Sequence, residues 1–113
     1  MMKTKKIPLL AALALSALYI PAHAMAAQDE YRMEMKNGSF DPPALSVPAH
    51  QKIHLIVKND EASQTEFESY PLNQEQKIES GESADMYIGP LDPGEYPVFD
   101  DNNPDAKGSI VAK

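Results

Sequence analysis

Alternation of apolar and polar residues is the feature that most limits how this chain can fold. Apolar side chains occupy every second position in residues 31–36 and again in residues 53–57. Successive side chains of a β-strand point to opposite faces of its sheet, so a period of two predicts strands with one apolar face. Ten prolines and turn signals such as Asn37-Gly38 separate these segments, which favours an antiparallel sandwich or barrel.

The same pattern predicts further strands in residues 86–91, 96–99 and 109–112. Residues 74–78 lack an apolar alternation and are the only stretch that could form a short helical turn. The sequence contains no internal repeat and no linker. We therefore predict an all-β sandwich of about seven to eight strands, with at most one helical turn.

The first 24 residues are expected to form a secretory signal peptide. Three lysines near the start precede an apolar run over residues 7–20, and Ala22-His23-Ala24 follows; this order is typical of export signals. The apolar run is shorter than the roughly 20 residues that span a bilayer. Cleavage after Ala24 is favoured over a site near Ala27. Residues 25–113 would then form a single periplasmic domain without membrane insertion.

Charge and the absence of cysteine exclude several classes of function. All 17 acidic residues lie beyond residue 24, whereas three of the ten lysine and arginine residues lie before it, so residues 25–113 carry a formal net charge of −10. Such a surface repels nucleic acid and attracts cations, although acidity can also serve only solubility. With no cysteine, a disulfide, a thiolate metal site and a catalytic cysteine are excluded.

The segment 94–111 resembles the last two strands and the ligand loop of a cupredoxin, the Greek-key β-sandwich that holds blue copper. In that family a G-x-Y strand leads into a Cys-x-x-His-Pro-x-Met-x-Gly loop. This chain has Asp100, Asn103 and Ala106 at the places of the three loop ligands, and Glu66 at the place of the first histidine ligand. The resemblance implies the cupredoxin scaffold without its soft ligands, with Glu66, Asp100 and Asn103 converging at one end of the sandwich.

Oxygen donors at these places favour hard cations. Carboxylates and amides suit iron, Mn(II) or Ca(II) better than Cu(I). Carboxylates that lie close together without a cation repel one another, which favours occupancy by a metal. The alternative interpretation is that Asp100, Asp101 and Asp105 form only a solvated turn.

A more specific resemblance extends over residues 30–113. The segments EFESYPLN at residues 66–73 and YIGPL at residues 87–91 are similar to those of EfeO-type cupredoxin-like domains, which include FtrB-like periplasmic proteins. That family implies a role in iron uptake beside a membrane permease, with Glu66, Glu68 and Asp101 as metal ligands. Its members usually have Asp-Phe-His-Pro where this chain has Asp101-Asn102-Asn103-Pro104, so a nitrogen ligand is absent and copper is expected less than iron.

Histidines and methionines offer weaker candidates. His50 and His54 have the spacing of a helical zinc motif, but a nearby proline and β-branched residues place them at the start of a strand, where four residues span about 13 Å. Two surface histidines are therefore expected rather than one metal site. Met33, Met35 and Met86 could bind Cu(I), but packing in the core is the favoured interpretation at strand spacing.

Three hypotheses about function remain. The leading one is a periplasmic protein that binds iron, or copper as a second candidate, and passes it to a membrane permease; its predicted ligands are Glu66, Glu68, Asp100, Asp101 and Asn103. The second is a ferrous oxidase accessory that uses copper. The third is a metal-free docking subunit that contacts partner proteins through its acidic surface. A monomer and a homodimer are both compatible with the sequence.

Overall fold

The computed structural model describes residues 29–113, so the predicted signal peptide lies outside the described residues. The described chain forms nine β-strands. In chain order they are β1 (Glu30–Lys36), β2 (Ser39–Asp41), β3 (Ala44–Val47), β4 (Ile53–Asn59), β5 (Thr65–Ser69), β6 (Gln74–Ile78), β7 (Ser83–Ile88), β8 (Gly94–Asp100) and β9 (Asn103–Ala112). Within this part of the chain, no helix has the length and hydropathy needed to cross a membrane.

The strands form a four-stranded sheet in the order β2-β1-β4-β7 and a five-stranded sheet in the order β3-β9-β8-β5-β6. The predicted all-β fold is therefore confirmed, with nine strands rather than seven to eight. Most strand pairs are antiparallel, as predicted, whereas β1 pairs with β4 and β3 pairs with β9 in parallel. Each parallel pair arises because β2 and β3 lie in different sheets, so the chain crosses the sandwich before β4 begins.

The short helical turn that the sequence allowed at residues 74–78 does not form, because these residues form β6. The turn before it ends at Asn73, whose φ of 55° suits the left-handed region that asparagine tolerates, and the Asn73 N–H donates to the Tyr70 carbonyl at 3.0 Å. β6 then pairs antiparallel with β5, from Thr65 opposite Ile78 to Ser69 opposite Gln74. Glutamines occupy two of its inward positions, so the alternation was hidden from a hydropathy pattern.

The two sheets enclose a core of aliphatic, methionine and phenylalanine side chains. Leu55, Phe67 and Ile110 are completely buried, and burial of each such side chain stabilises the fold by about 2 kcal/mol. The core interpretation of the three methionines is confirmed, since Met33, Met35 and Met86 are all buried in this cluster.

Asn59, at the end of β4, fixes the connection to β5. Its side chain is fully buried, and its amide Nδ2 donates to the carbonyls of Ser63 and Ile78, both at 2.8 Å. Its Oδ1 accepts the Glu61 N–H at 2.7 Å. Because every polar atom of this side chain is paired, the loop of residues 60–64 is held at one end of the sandwich.

Candidate metal centre

The alternation of β5 determines where its two glutamates lie. Thr65, Phe67 and Ser69 are buried between the sheets, whereas Glu66 and Glu68 are partly exposed on the outer face of the five-stranded sheet. Side chains of opposite parity in a strand cannot share a face. Glu66 and Glu68 therefore point away from the interior of the sandwich.

The turn after β8 brings a third carboxylate to this face. The Asp101 N–H donates to the Glu66 carbonyl at 2.8 Å, which holds Asp101 beside the start of β5. One carboxylate oxygen from each of Glu66, Glu68 and Asp101 lies within 4.8 Å of the others. We refer to these three residues as the carboxylate cluster. Oxygen atoms at such separations could coordinate a single cation.

Two charged residues of β6 flank the carboxylate cluster, and neither was among the predicted ligands. Glu75 lies opposite Glu68 and Lys77 lies opposite Glu66 in the β5–β6 pairing. Directly opposed side chains of an antiparallel pair lie about 5 Å apart. If residues 66–78 are interpreted as a hairpin, Glu75 is expected beside Glu68. A helical turn at residues 74–78 has no strand register with β5, so that interpretation does not place Glu75 near the site.

The electrostatics of this face reflect the crowding of negative charge. The pKa of Glu66 is raised above its ordinary value, first by partial burial and then by the negative charge of Glu75 and Asp101, while Lys77 lowers it. The pKa of Glu68 is raised by partial burial and then by the charges of Asp101, Glu75 and Glu66. Repulsion among like charges disfavours their ionised forms, and a bound cation would relieve it.

Asp100 and Asn103, the other two predicted ligands, lie in a different place. Asp100 faces inward and is 5% exposed, and its Oδ1 accepts the N–H groups of Glu66 at 2.9 Å and Asn102 at 3.0 Å. Asn103 begins β9. Both residues line a cavity of about 230 Å³ at one end of the sandwich. The walls of this end cavity are formed by Gly38, residues 61–65, Asp100, Asn102 and Asn103.

The five predicted ligands therefore divide between two regions. Glu66, Glu68 and Asp101 meet on the outer face, whereas Asp100 and Asn103 line the end cavity. The expected convergence of Glu66 with Asp100 and Asn103 is wrong, because Glu66 and Asp100 point to opposite faces of the same sheet. Their contact is made through the Glu66 backbone N–H alone.

The end of the sandwich does not fit a copper–thiolate centre. Asp100, a carboxylate already bonded to two N–H groups, stands where the resemblance expects the cysteine. Ala106, at the methionine place, is buried and offers only a methyl group. Blue-copper sites require two histidines and a thiolate, and this chain supplies oxygen donors instead.

The two histidines lie apart and do not form a shared site. His50 is exposed in a turn, as predicted. The surface interpretation is wrong for His54, because its side chain is only 13% exposed and is stacked against Tyr87 with ring centroids 4.7 Å apart. Its Nδ1 lies 3.9 Å from Glu30 Oε2 and its Nε2 lies 3.7 Å from Asp85 Oδ2, so the two nitrogens face different carboxylates.

Sequence comparison connects this chain to a defined family. A family profile described as "Cupredoxin-like domain" matches residues 8–112. An uncharacterised protein of Rickettsia prowazekii is 32% identical over 117 residues, which cover 96% of this chain and 94% of that protein.

Solved copper proteins share the fold at low sequence identity. The metal-binding domain of the Cu(I)-exporting P-type ATPase CopA of Streptococcus pneumoniae, solved with Cu(I), is similar with a TM-score of 0.67 and 12% identity, over 78% of this chain and 91% of that one. Reduced auracyanin of Roseiflexus castenholzii is similar with a TM-score of 0.62 and 14% identity, over 78% of this chain and 99% of that one. Amicyanin of Paracoccus versutus is similar with a TM-score of 0.59 and 12% identity, over 80% of this chain and 87% of that one.

Proposed function

This chain belongs to the cupredoxin-like domain family and contains no cysteine, and we propose that it is a periplasmic metal-binding protein that takes up iron as cargo and passes it to a membrane permease. The observation that carries the proposal is the carboxylate cluster, in which oxygens of Glu66, Glu68 and Asp101 lie within 4.8 Å of one another.

The chemistry of the cluster suits iron better than copper(I). Its three ligands are carboxylates, which are hard donors that favour hard cations, whereas Cu(I) favours thiolate and thioether sulfur. Glu75 lies opposite Glu68 and adds a further negative charge beside the site. The residues therefore bind the ion by charge and supply no group that would accept an electron from Fe(II).

The position of the cluster suits a protein that hands its ion on. Glu66 and Glu68 are partly exposed and Asp101 is exposed, so a receiving protein could contact the ion directly. The predicted signal peptide and the resemblance to EfeO-type domains favour a periplasmic location beside an iron permease. These two features of the sequence are the grounds for naming that partner.

The test is calorimetric titration of the metal-free protein with Fe(II) under anaerobic conditions, with Fe(III)–citrate and with Cu(II). We expect saturable iron binding that weakens about 100-fold or more in the double variant Glu66→Gln/Glu68→Gln, since two charge-assisted contacts are removed. A matched double variant, Glu79→Gln/Glu95→Gln, changes the net charge equally at exposed positions outside the cluster and should bind as the unsubstituted protein does.

Four outcomes would contradict the proposal or its ligand assignment. Equal affinity in the two double variants would show that iron binds elsewhere. Consumption of Fe(II) in excess over protein would indicate an oxidase, and absence of saturable binding by any ion would indicate a docking subunit. The protein loaded with Cu(II) should show no intense visible band because it has no thiolate, and a blue solution would overturn the ligand assignment.

A further inference from the structure

An exposed tyrosine and its aromatic neighbour lie beside the carboxylate cluster. The Tyr70 side chain is 75% exposed, and its ring contacts that of Phe99 with centroids 5.5 Å apart. Phe99 lies directly opposite Glu68 in the β5–β8 pairing, and directly opposed residues of an antiparallel pair lie on the same face of the sheet. The two rings therefore lie on the outer face that also carries the cluster.

Neither ring is part of the hydrophobic core that the described residues form. A large aromatic side chain that remains in water buries little apolar area, so Tyr70 adds little to the stability of the fold. Tyrosine is enriched at protein–protein interfaces, where its ring supplies apolar contact area and its hydroxyl a polar end. The aromatic pair therefore suits contact with a partner better than a role in folding.

An open cavity of about 170 Å³ joins Tyr70 to the carboxylate cluster. Its lining residues are Glu68, Ser69, Tyr70, Asn73, Gln74 and Glu75. Two of these residues are carboxylates that lie opposite each other in the β5–β6 pairing, and none is a lysine, arginine or histidine. A side chain that enters the cavity therefore meets negative charge and an aromatic residue together.

The second exposed tyrosine, Tyr87 on the other sheet, differs because a cation of the chain lies over its ring. Tyr87 is 53% exposed, and Lys52 Nζ lies 5.2 Å from its ring centroid, a distance typical of a cation–π contact. Among the described residues, no lysine or arginine lies over the ring of Tyr70 or Phe99 in this way. A cation from another molecule can therefore occupy that position.

Two lysines lower the negative charge of this face but do not neutralise it. Lys77 lies opposite Glu66 and Lys107 lies opposite Phe99. The three carboxylates of the cluster and that of Glu75 outnumber them. The remaining negative charge favours a cationic partner, because complementary charge steers association and disfavours partners of like charge.

We propose that Tyr70, Phe99 and the carboxylate cluster form a docking surface for an arginine-bearing segment of the protein that receives the ion; this choice of partner rests on the proposed function. Arginine suits the surface better than lysine, because its planar guanidinium stacks on aromatic rings and forms two parallel hydrogen bonds with a carboxylate. The guanidinium stacks on Tyr70 and pairs with Glu68. Since Glu68 also binds the ion, arginine and iron compete for it, and docking promotes release of the ion.

The test is an NMR titration of the metal-free protein at low salt with the peptide acetyl-Gly-Arg-Gly-Arg-Gly-amide. We expect saturable shifts of the Tyr70 and Phe99 ring protons, and binding about fivefold weaker in Tyr70→Leu, which loses the cation–π contact. Because Tyr70 is exposed, this variant should fold normally. Tyr87→Leu is the matched control on the other sheet and should bind the peptide as the unsubstituted protein does. The same peptide with lysine in place of arginine should bind more weakly.

Competition with iron tests whether the guanidinium enters the cluster. Calorimetric titration with Fe(II) in the presence of the peptide, at about ten times its dissociation constant, should give an apparent iron affinity about tenfold weaker, since ligands that exclude each other follow mass action. Sodium chloride at the same ionic strength provides the control for screening. Iron affinity that the peptide leaves unchanged would overturn the proposal.

This proposal and the proposed function can fail separately. Peptide binding that depends on Tyr70, in a protein that binds no iron, would overturn the proposed function and support the docking surface. Iron binding together with equal peptide affinity in Tyr70→Leu and Tyr87→Leu would overturn the docking surface alone, because charge without the aromatic ring would then account for the binding.

Discussion

The carboxylate cluster and the end cavity are both acidic, but their surroundings differ. In the cluster, Glu66, Glu68 and Asp101 are close to one another on a solvent-facing sheet surface, and the pKa values of both glutamates are raised. In the end cavity, Asp100 is buried and its Oδ1 accepts two backbone N–H groups. The carboxylates of the cluster therefore lie close to like charges, whereas the buried carboxylate of the end cavity is stabilised by hydrogen bonds.

The contrast is clearest at two consecutive residues. Asp100 ends β8 and faces the interior, whereas Asp101 lies in the following turn and faces outward. A shift of one position along a strand reverses the face on which a side chain lies. The resemblance to cupredoxin ligand positions therefore places Asp100 and Asp101 correctly at the end of β8. It does not predict on which face of the sheet each side chain lies.

The largest expected effect is at Asn59, which holds the loop of residues 60–64 at the end cavity. Asn59→Ala removes the donors to the Ser63 and Ile78 carbonyls and the acceptor of the Glu61 N–H. Since these groups would be left unpaired, we expect the free energy of unfolding to fall by about 3 kcal/mol. Urea denaturation followed by circular dichroism would measure it.

A further measurement shows whether this effect is confined to one region. Iron binding at the carboxylate cluster should persist in Asn59→Ala under conditions in which the variant is folded, because Asn59 contacts none of the three cluster residues. Glu68→Gln serves as the matched case from the other region and should change stability by less than about 0.5 kcal/mol. If the two variants destabilised the protein equally, the distinction between the regions would fail.

A second prediction concerns the pH dependence of stability in the metal-free protein. The folded-state pKa values of Glu66 and Glu68 lie above the ordinary value of 4.5. Between that value and the raised ones, the folded state binds more protons than the unfolded state. The contribution of these two groups to the free energy of unfolding must therefore decrease as pH rises through this window, and remain constant above it.

The double variant Glu66→Gln/Glu68→Gln lacks these two ionisations and isolates their contribution. Its stability relative to the unsubstituted protein should be higher at pH 7 than at pH 4.5, as measured by thermal unfolding in the presence of a chelator. Glu79→Gln/Glu95→Gln, whose carboxyls lie outside the cluster, provides the comparison. Identical pH profiles for the two double variants would mean that the folded-state pKa values of Glu66 and Glu68 are not raised.

Much of the fold could be predicted because its determinants are local. Alternation in residues 31–36 and 53–57 predicted β1 and β4 directly, since each has one buried apolar face. The parallel pairing of β1 with β4 could not be predicted in this way, because it depends on the crossing of the chain between sheets.

The candidate site was predicted in part for the same reason. Glu66 and Glu68 are two positions apart and must share a face if they lie on one strand, so their proximity was predictable. The contribution of Glu75 depends on a hairpin register that the polar residues of β6 do not signal.

The smallest expected effect concerns Lys77, a cation beside the carboxylate cluster. Lys77 lies opposite Glu66, where it lowers the pKa of that glutamate and also repels an incoming cation. Well above the raised pKa the glutamate is ionised with or without the lysine, so removal of the repulsion dominates. Lys77→Met should therefore strengthen iron binding about twofold at pH 7.5 and low salt, and the gain should diminish in 0.5 M salt because the charges are exposed. Lys58→Met, on the outer face of the other sheet, should leave iron affinity unchanged. Weaker binding in Lys77→Met would indicate that the lysine holds Glu66 in its binding position, and that role would have to be added to the site.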